Sequence, residues 1–246
     1  MTEDKSKSLT IPQNNSLARV EKSIALTNKL LSTIDDNTVT DIDGNVYKTV
    51  KIGNQIWMAE NLKVTRYRNG DPISTGYTDK EWGELNSGAY CYYYDVPKYI
   101  ELYGNLYNWY AADDERGICP VGWHVPTDEE WKELEVTLGM SNENVNVYYY
   151  RGTNQGAQLA GETNFWKQGR LVNNSSFGSS GFLVLPGGFR DKYGEYMGIG
   201  TNGFIWTSDE EYSGYAIFRM FHYDSSDLSL DINNIQGGGS IRCIKD

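Results

Sequence analysis

Two histidines, His124 and His222, and three cysteines, Cys91, Cys119 and Cys243, are the chain's whole stock of imidazole and thiol groups. They stand far apart, and no HxxxH, CxxC or clustered Cys/His spacing occurs, so a tetrahedral zinc site is not encoded locally. His124 lies between Trp123 and Val125, just ahead of a capped helix, where a hydrogen-bonded structural role is expected. No GxSxG, Walker-type or post-strand GxGxxG pattern is present. Gly237-Gly238-Gly239 precedes a strand rather than a helix N-terminus, so it lacks the free amides that cradle a phosphate. Asp41-Ile42-Asp43-Gly44-Asn45 has the opening of a calcium loop, but its glycine is displaced and no distal Glu follows, which predicts a turn. Acidic residues abound, yet nothing in their spacing singles out a glycosidase pair. The expectation is no catalytic residue and no cofactor, with a structural calcium ion near Asp231 and Asn233 as the one exception the residue types allow.

The elements that carry these residues read as follows. Residues 16–35 place Leu17, Val20, Ile24, Thr27, Leu31 and Ile34 in the alternating three-and-four spacing of a coiled-coil seam, with Ala18, Leu26 and Leu30 widening the stripe. A helix of about 20 residues is marginal alone in water. Residues 1–36 are therefore an arm whose amphipathic helix either self-associates or docks on its own domain or another partner. After Thr38 the pattern shifts to period two: a strand from Val46 to Ile52, a Gly53-Asn54 turn, and a return strand from Gln55 to Ala59. A short helix is predicted around 97–111. Thr127 and Glu130 form a capping box, Trp131, Leu134 and Leu138 recur at helical spacing, and Gly139 can end the helix, predicting about 128–138. Further strands are predicted at Phe182–Leu185, ended by Pro186-Gly187-Gly188, at Phe204–Thr207, through Tyr215–His222, and at Ser240–Ile244. The Tyr90–Tyr94 cluster reads as including a short strand with alternate faces buried and exposed, the alternate tyrosines of Tyr92–Tyr94 packing inside it. Tyr148 and Tyr150 suit either strand packing or recognition, since tyrosine offers contact area and a hydroxyl at low entropic cost.

The formal charge of −11 disfavours nucleic acid and anionic membrane as partners, because phosphate binding needs clustered Lys and Arg. No run approaches the ~20 apolar residues that span a bilayer. MTEDKSKSLT has no apolar segment following a basic one, so no signal peptide is expected there.

Five ordered blocks carry a resemblance: TVTDIDGNVYKTVKIGNQIWMAENLKV, GAYCYYYDVPKYIELYGNLYNW, YGNLYNWYAADDERGICPVGWHVPTDEEW, SGFLVLPGGFRD and SIRCIKD. Over residues 38–246 the chain resembles the Fibrobacter succinogenes major paralogous domain, a family of surface and secreted proteins of Fibrobacter and the Bacteroidetes. That family resembles, more distantly, the C-type-lectin-like fold shared with formylglycine-generating enzymes and with the variable proteins of diversity-generating retroelements. The resemblance implies an α+β, C-type-lectin-like fold with small antiparallel sheets, two or more short helices and long loops. It also implies a Cys119–Cys243 bridge with Cys91 free; the residues alone leave three buried thiols equally open. The paired cysteines of the formylglycine-generating enzymes have no counterpart near the C-terminal end, where Cys243 stands alone, so that chemistry is not expected.

In such folds the ligand face lies before the last strand, here residues 206–239. The implied ligand residues are Trp206, Arg219, His222, Tyr223, Asp224, Asp227, Asp231, Asn233 and Asn234, joined by Tyr148 and Tyr150. The Glu-Pro-Asn and Gln-Pro-Asp sugar motifs of calcium-dependent lectins are missing. The function expected is non-catalytic surface recognition of a glycan or protein receptor, as in adhesion, by an extracellular or cell-surface protein. The alternatives are a docking component of a secreted or virion-like assembly, held through residues 16–35, and a carbohydrate-active hydrolase.

Overall fold

In the computed structural model, which describes residues 37–246, the period-two run becomes an antiparallel meander of β1 (Thr38–Thr40), β2 (Val46–Ile52) and β3 (Gln55–Met58). Ile52 pairs with Gln55 across Gly53-Asn54, and Gly53 takes φ +60°, the left-handed value this two-residue turn needs. The Asp41 carboxylate is spent inside the β1–β2 turn. It accepts the backbone N–H groups of Asp43 (3.0 Å) and Asn45 (2.9 Å) and the Tyr47 hydroxyl (2.6 Å). The N-terminal arm and its predicted helix lie outside the described residues.

Helix α1 (Asp79–Gly83) follows, with its own capping box from Thr78 and Glu81. Strand β4 (Tyr90–Cys91) then stops short. Tyr93–Asp95 forms a single 3-10 turn with Tyr94 and Asp95 left-handed, so Tyr93 is buried while Tyr94 stands 61% exposed. The short strand predicted within Tyr90–Tyr94 therefore forms only at Tyr90–Cys91, and its continuation through Tyr92–Tyr94 is replaced by a turn. The helix predicted at 97–111 is broken into α2 (Lys98–Tyr103), β5 (Leu106–Asn108) and α3 (Trp109–Ala112). Gly104, at φ +74°, causes the break: a Cβ there would meet the Leu62 carbonyl at 2.7 Å. Leu106–Asn108 then gains ladder bonds on both sides, a stronger pull than three more residues of helix.

Strand β6 (Trp123–His124) leads to α4 (Asp128–Thr137). Glu130 N–H donates to Thr127 Oγ1 at 3.2 Å, and the Thr127 N–H donates to Glu130 Oε2 at 2.8 Å. Trp131 and Leu134 are fully buried, and Gly139 follows the helix at φ +93°. Strand β7 (Tyr149–Arg151) and α5 (Gln155–Leu159) come next. The strand predicted at Phe182–Leu185 does not form. Leu183 is left-handed at φ +62°, the carbonyls of Phe182 and Leu183 accept from Arg242, Val184 makes one isolated bridge to Ala160, and a continuous strand begins only at β8 (Gly187–Arg190). The final third is β9 (Tyr196–Ile199), β10 (Asn202–Tyr212), β11 (Tyr215–His222), β12 (Leu228–Asn234), β13 (Gly238–Gly239) and β14 (Ile244–Lys245). The closing strand is therefore shorter than the predicted Ser240–Ile244; Ser240 contributes one isolated bridge to Ile205.

The strands make three sheets, ordered β1-β2-β3-β14-β6, β10-β11-β12-β7 and β4-β5-β13-β8-β9, and every strand pairing in them is antiparallel. The fold is mixed α and β, mostly antiparallel sheet with a few short helices. One core joins Tyr107, Trp109, Phe204, Trp206 and Phe218; a second joins Trp57, Trp131, Phe182, Ile205 and Phe221. Cys119 and Cys243 are joined as a disulfide with Cα atoms 6.0 Å apart, and Cys91 is free and buried. No helix among the described residues is long and apolar enough to cross a membrane.

Candidate functional site

The 206–239 segment is built mainly as strands rather than as the loops expected of a ligand face. β10, β11 and β12 run through it in register from Asn202↔His222 to Tyr215↔Asn234. As a result Trp206 and Arg219 are corrected from ligand residues to interior ones, each fully buried. Trp206 donates its indole N–H to the Tyr107 carbonyl at 3.0 Å and packs against Phe204 and Phe218. Arg219 belongs to a buried charge cluster. Its Nε donates to Glu135 Oε1 at 2.6 Å, its Nη2 pairs with Asp128 Oδ1 at 2.8 Å, and Arg151 Nη2 donates to Glu135 Oε2 at 2.5 Å. The physical reason is position: β11 is an inner strand, paired on both edges, and its Arg219 face meets α4. Two guanidiniums meet two carboxylates there, as buried charges require, and Asp128 also holds Lys132 Nζ at 2.8 Å. Burial still pulls Arg151 down to about 10 against the charge of Glu135.

The remaining candidates sort into groups nearer the surface. His222, Tyr223 and Asp224 meet Lys167 and Arg170, two basic residues that sequence reading did not single out. Lys167 Nζ donates to the Tyr223 hydroxyl at 3.1 Å and lies 4.3 Å from the ring centroid; Arg170 Nε lies 3.5 Å from Asp224 Oδ1. Burial lowers the His222 pKa, with the charge of Asp224 opposing it. Asn233 and Asn234 spend their side-chain oxygens on the turn that follows, accepting the N–H groups of Asn234 (2.9 Å) and Gln236 (3.0 Å).

Tyr150, Asp227 and Asp231 come together on the β12–β7 pair. Ser229 pairs with Tyr150 across the ladder and lies between the two aspartates in sequence. Burial raises the pKa of Asp227 and of Asp231. Tyr150 is raised as well, by burial first and then by the charges of Asp231 and Asp227. The Ser229 hydroxyl is buried without a hydrogen-bond partner, an exception to the usual satisfaction of buried polar atoms. Tyr148, 37% exposed, is pushed up to about 12 by burial and by its hydrogen bond to Glu211. Arg170 acts on Asp227 as well as Asp224, so it links the two groups. The assembly offers acceptors, an aromatic face and two cations. Tyr150 and Asp231 are 81 positions apart and meet through strand register, while Lys167 and Arg170 come from the loop before β8; no spacing in the sequence signals Ser229, Lys167 or Arg170.

Among the described residues, no group of three His, Cys, Asp or Glu side chains is arranged to hold a metal ion. Comparison with curated proteins and with solved structures finds no match. The family model described as the Fibrobacter succinogenes major domain matches residues 50–245. That span takes in the disulfide, two of the three sheets whole and the remaining one from Val50 of β2 onward, and the chain belongs to the Fibrobacter succinogenes major domain family.

Proposed function

We propose that this chain is a non-catalytic recognition protein that binds a surface glycan or a protein receptor. One juxtaposition carries the reading: two carboxylates, Asp227 and Asp231, gather beside the exposed Tyr150, with the unpartnered Ser229 hydroxyl opposite it. Sugar and peptide hydroxyls and amides are recognised by such paired acceptors next to an aromatic face. Elsewhere the closely held charges are consumed in structure: Glu135 by Arg219 and Arg151, Glu130 by His124 and the helix cap, Asp41 by its own turn. The small antiparallel sheets, and the disulfide that ties the segment ahead of α4 to the strand closing the first sheet, support a C-type-lectin-like reading of the domain. An extracellular or cell-surface location goes with that bond, since disulfides persist in oxidising compartments.

The test displays the intact chain at high valency on a glycan and cell-surface array, beside Tyr150→Ala and Asp231→Asn. Binding that falls at least tenfold in both variants is the expected result. Silence from folded wild-type protein, or undiminished binding by both variants, overturns the assignment. Asp231→Asn is also expected to raise the melting temperature at pH 7. A carboxyl whose folded pKa is raised contributes stability below its unfolded pKa and loses it as pH rises through the folded value, so a neutral amide removes a cost at neutrality.

A further inference from the structure

A cavity of about 160 Å³ opens between β2, α2 and the Leu183–Leu185 segment, and shares no residue with the Tyr150 surface. Its size suits one compact ring; an apolar cavity of about 150 Å³ accepts benzene. Its walls are apolar where Leu183, Leu185 and Tyr103 line it; of its charged residues, Lys48, Glu60, Glu101 and Glu162 are exposed, and the half-buried Lys63 pairs with Glu101 at 2.8 Å.

Arg242 lines the same cavity and is 1% exposed. Its Nε donates to Asn61 Oδ1 at 2.8 Å, its Nη2 to the Leu183 carbonyl at 2.8 Å, and its Nη1 to the Phe182 carbonyl. All three acceptors are neutral. A guanidinium has five N–H donors, and no carboxylate among the described residues forms an ion pair with this one. The acid whose charge it feels, Glu60, is exposed and accepts the Lys48 N–H at 2.7 Å. Buried charges are ordinarily paired, and the other fully buried arginines here, Arg190 and Arg219, each have a carboxylate in contact. Burial accordingly pulls Arg242 down to about 9, which leaves it a cation at neutral pH without a counter-charge. Two of the five left-handed non-glycine residues described, Glu162 and Leu183, also line this cavity. Leu183 in that conformation brings two successive carbonyls onto the guanidinium. Backbone strain of this kind persists where the surroundings hold it and gathers at ligand sites.

We infer that this cavity binds a small monocarboxylate with a ring-sized body, its carboxylate meeting the Arg242 guanidinium and its ring lying against Leu183, Leu185 and Tyr103. A single negative charge matches the one buried cation among the described residues that lacks a counter-charge. A dianion such as phosphate would bring a second charge that Arg242 does not match and that Glu60 and Glu162 at the mouth oppose, and a neutral ligand would leave the buried charge as it is.

The test is an amide NMR titration of the intact chain with two matched pairs: benzoate against benzamide, and D-glucuronate against methyl glucoside. In at least one pair the charged member is expected to bind at least tenfold tighter, with saturable shifts at Gly104, Leu183, Leu185 and Arg242. Arg242→Gln should abolish that difference. If this variant fails to fold, Leu185→Trp decides, because it fills the cavity from a half-exposed position and should remove the binding while leaving the remaining spectrum intact. Equal affinity within both pairs, shifts mapping elsewhere, or binding that survives Leu185→Trp overturns the inference.

Discussion

His124 carries a carboxylate on each ring nitrogen, Asp246 Oδ1 at 2.7 Å from Nδ1 and Glu130 Oε1 at 2.8 Å from Nε2. Burial by itself lowers an imidazole pKa, but the two carboxylates outweigh it and the net shift is upward. A histidine raised in the folded state contributes stability that is complete below its unfolded pKa of about 6.5 and is lost as pH rises through the folded value. His124→Gln is therefore expected to cost more in a denaturant titration at about pH 5.5 than at about pH 8. An equal cost at both would show that the ring is held neutral. The sequence placed His124 in a hydrogen-bonded structural role beside a capped helix, and Glu130 was legible as the cap residue. Asp246 was not, because the pair is 122 residues apart and joined only when β14 lies beside β6.

At the scale of the element, α4 shows which side of a helix holds it. Its cap is written locally, and Thr127→Ala is expected to cost about 1 kcal/mol. Its buried side carries Glu135, bonded to Arg219 and Arg151. Glu135→Ala leaves two interior guanidiniums short of a counter-charge and is expected to cost about 3–5 kcal/mol. Urea midpoints of the two variants would settle the ranking; a larger loss at Thr127 would mean the helix is secured by its cap. Trp131 and Leu134 were readable from their spacing, whereas Glu135 was not. A glutamate beside an apolar stripe reads as a solvated flank, and only β7 and β11, arriving from later in the chain, turn that flank inward. The same limit applies to β8. Leu183 has the side chain of a strand residue, but its carbonyl is claimed by Arg242, so the continuous strand starts at a Gly-Gly sequence that reads as a strand terminator.

For the whole molecule, the Cys119–Cys243 bond spans 124 residues and ties the segment before α4 to the strand that joins β3 to β6. Closing so long a loop restricts the unfolded chain, and a Cys119→Ser, Cys243→Ser double variant is expected to lose about 2–5 kcal/mol in equilibrium unfolding. Cys91, buried and pushed up to about 12 by that burial, should resist alkylation until the protein unfolds. A native protein with three reactive thiols would contradict both statements. By itself the sequence determined what short-range physics can write: the β2–β3 hairpin through Gly53, the capped start of α4, the alternation along β11, and the ordered blocks that mark the family. Tertiary structure alone decided which polar residues face water. Arg219 was drawn inward because α4 packs on its face of β11, and Trp206 because it bonds to the Tyr107 carbonyl and packs against Phe204 and Phe218. Tyr150, Asp227 and Asp231 were gathered by ladder register, and Arg242 was left alone in its cavity. Those outcomes depend on contacts between distant segments, whose energies exist only once the sheets have assembled, so no local pattern could have carried them.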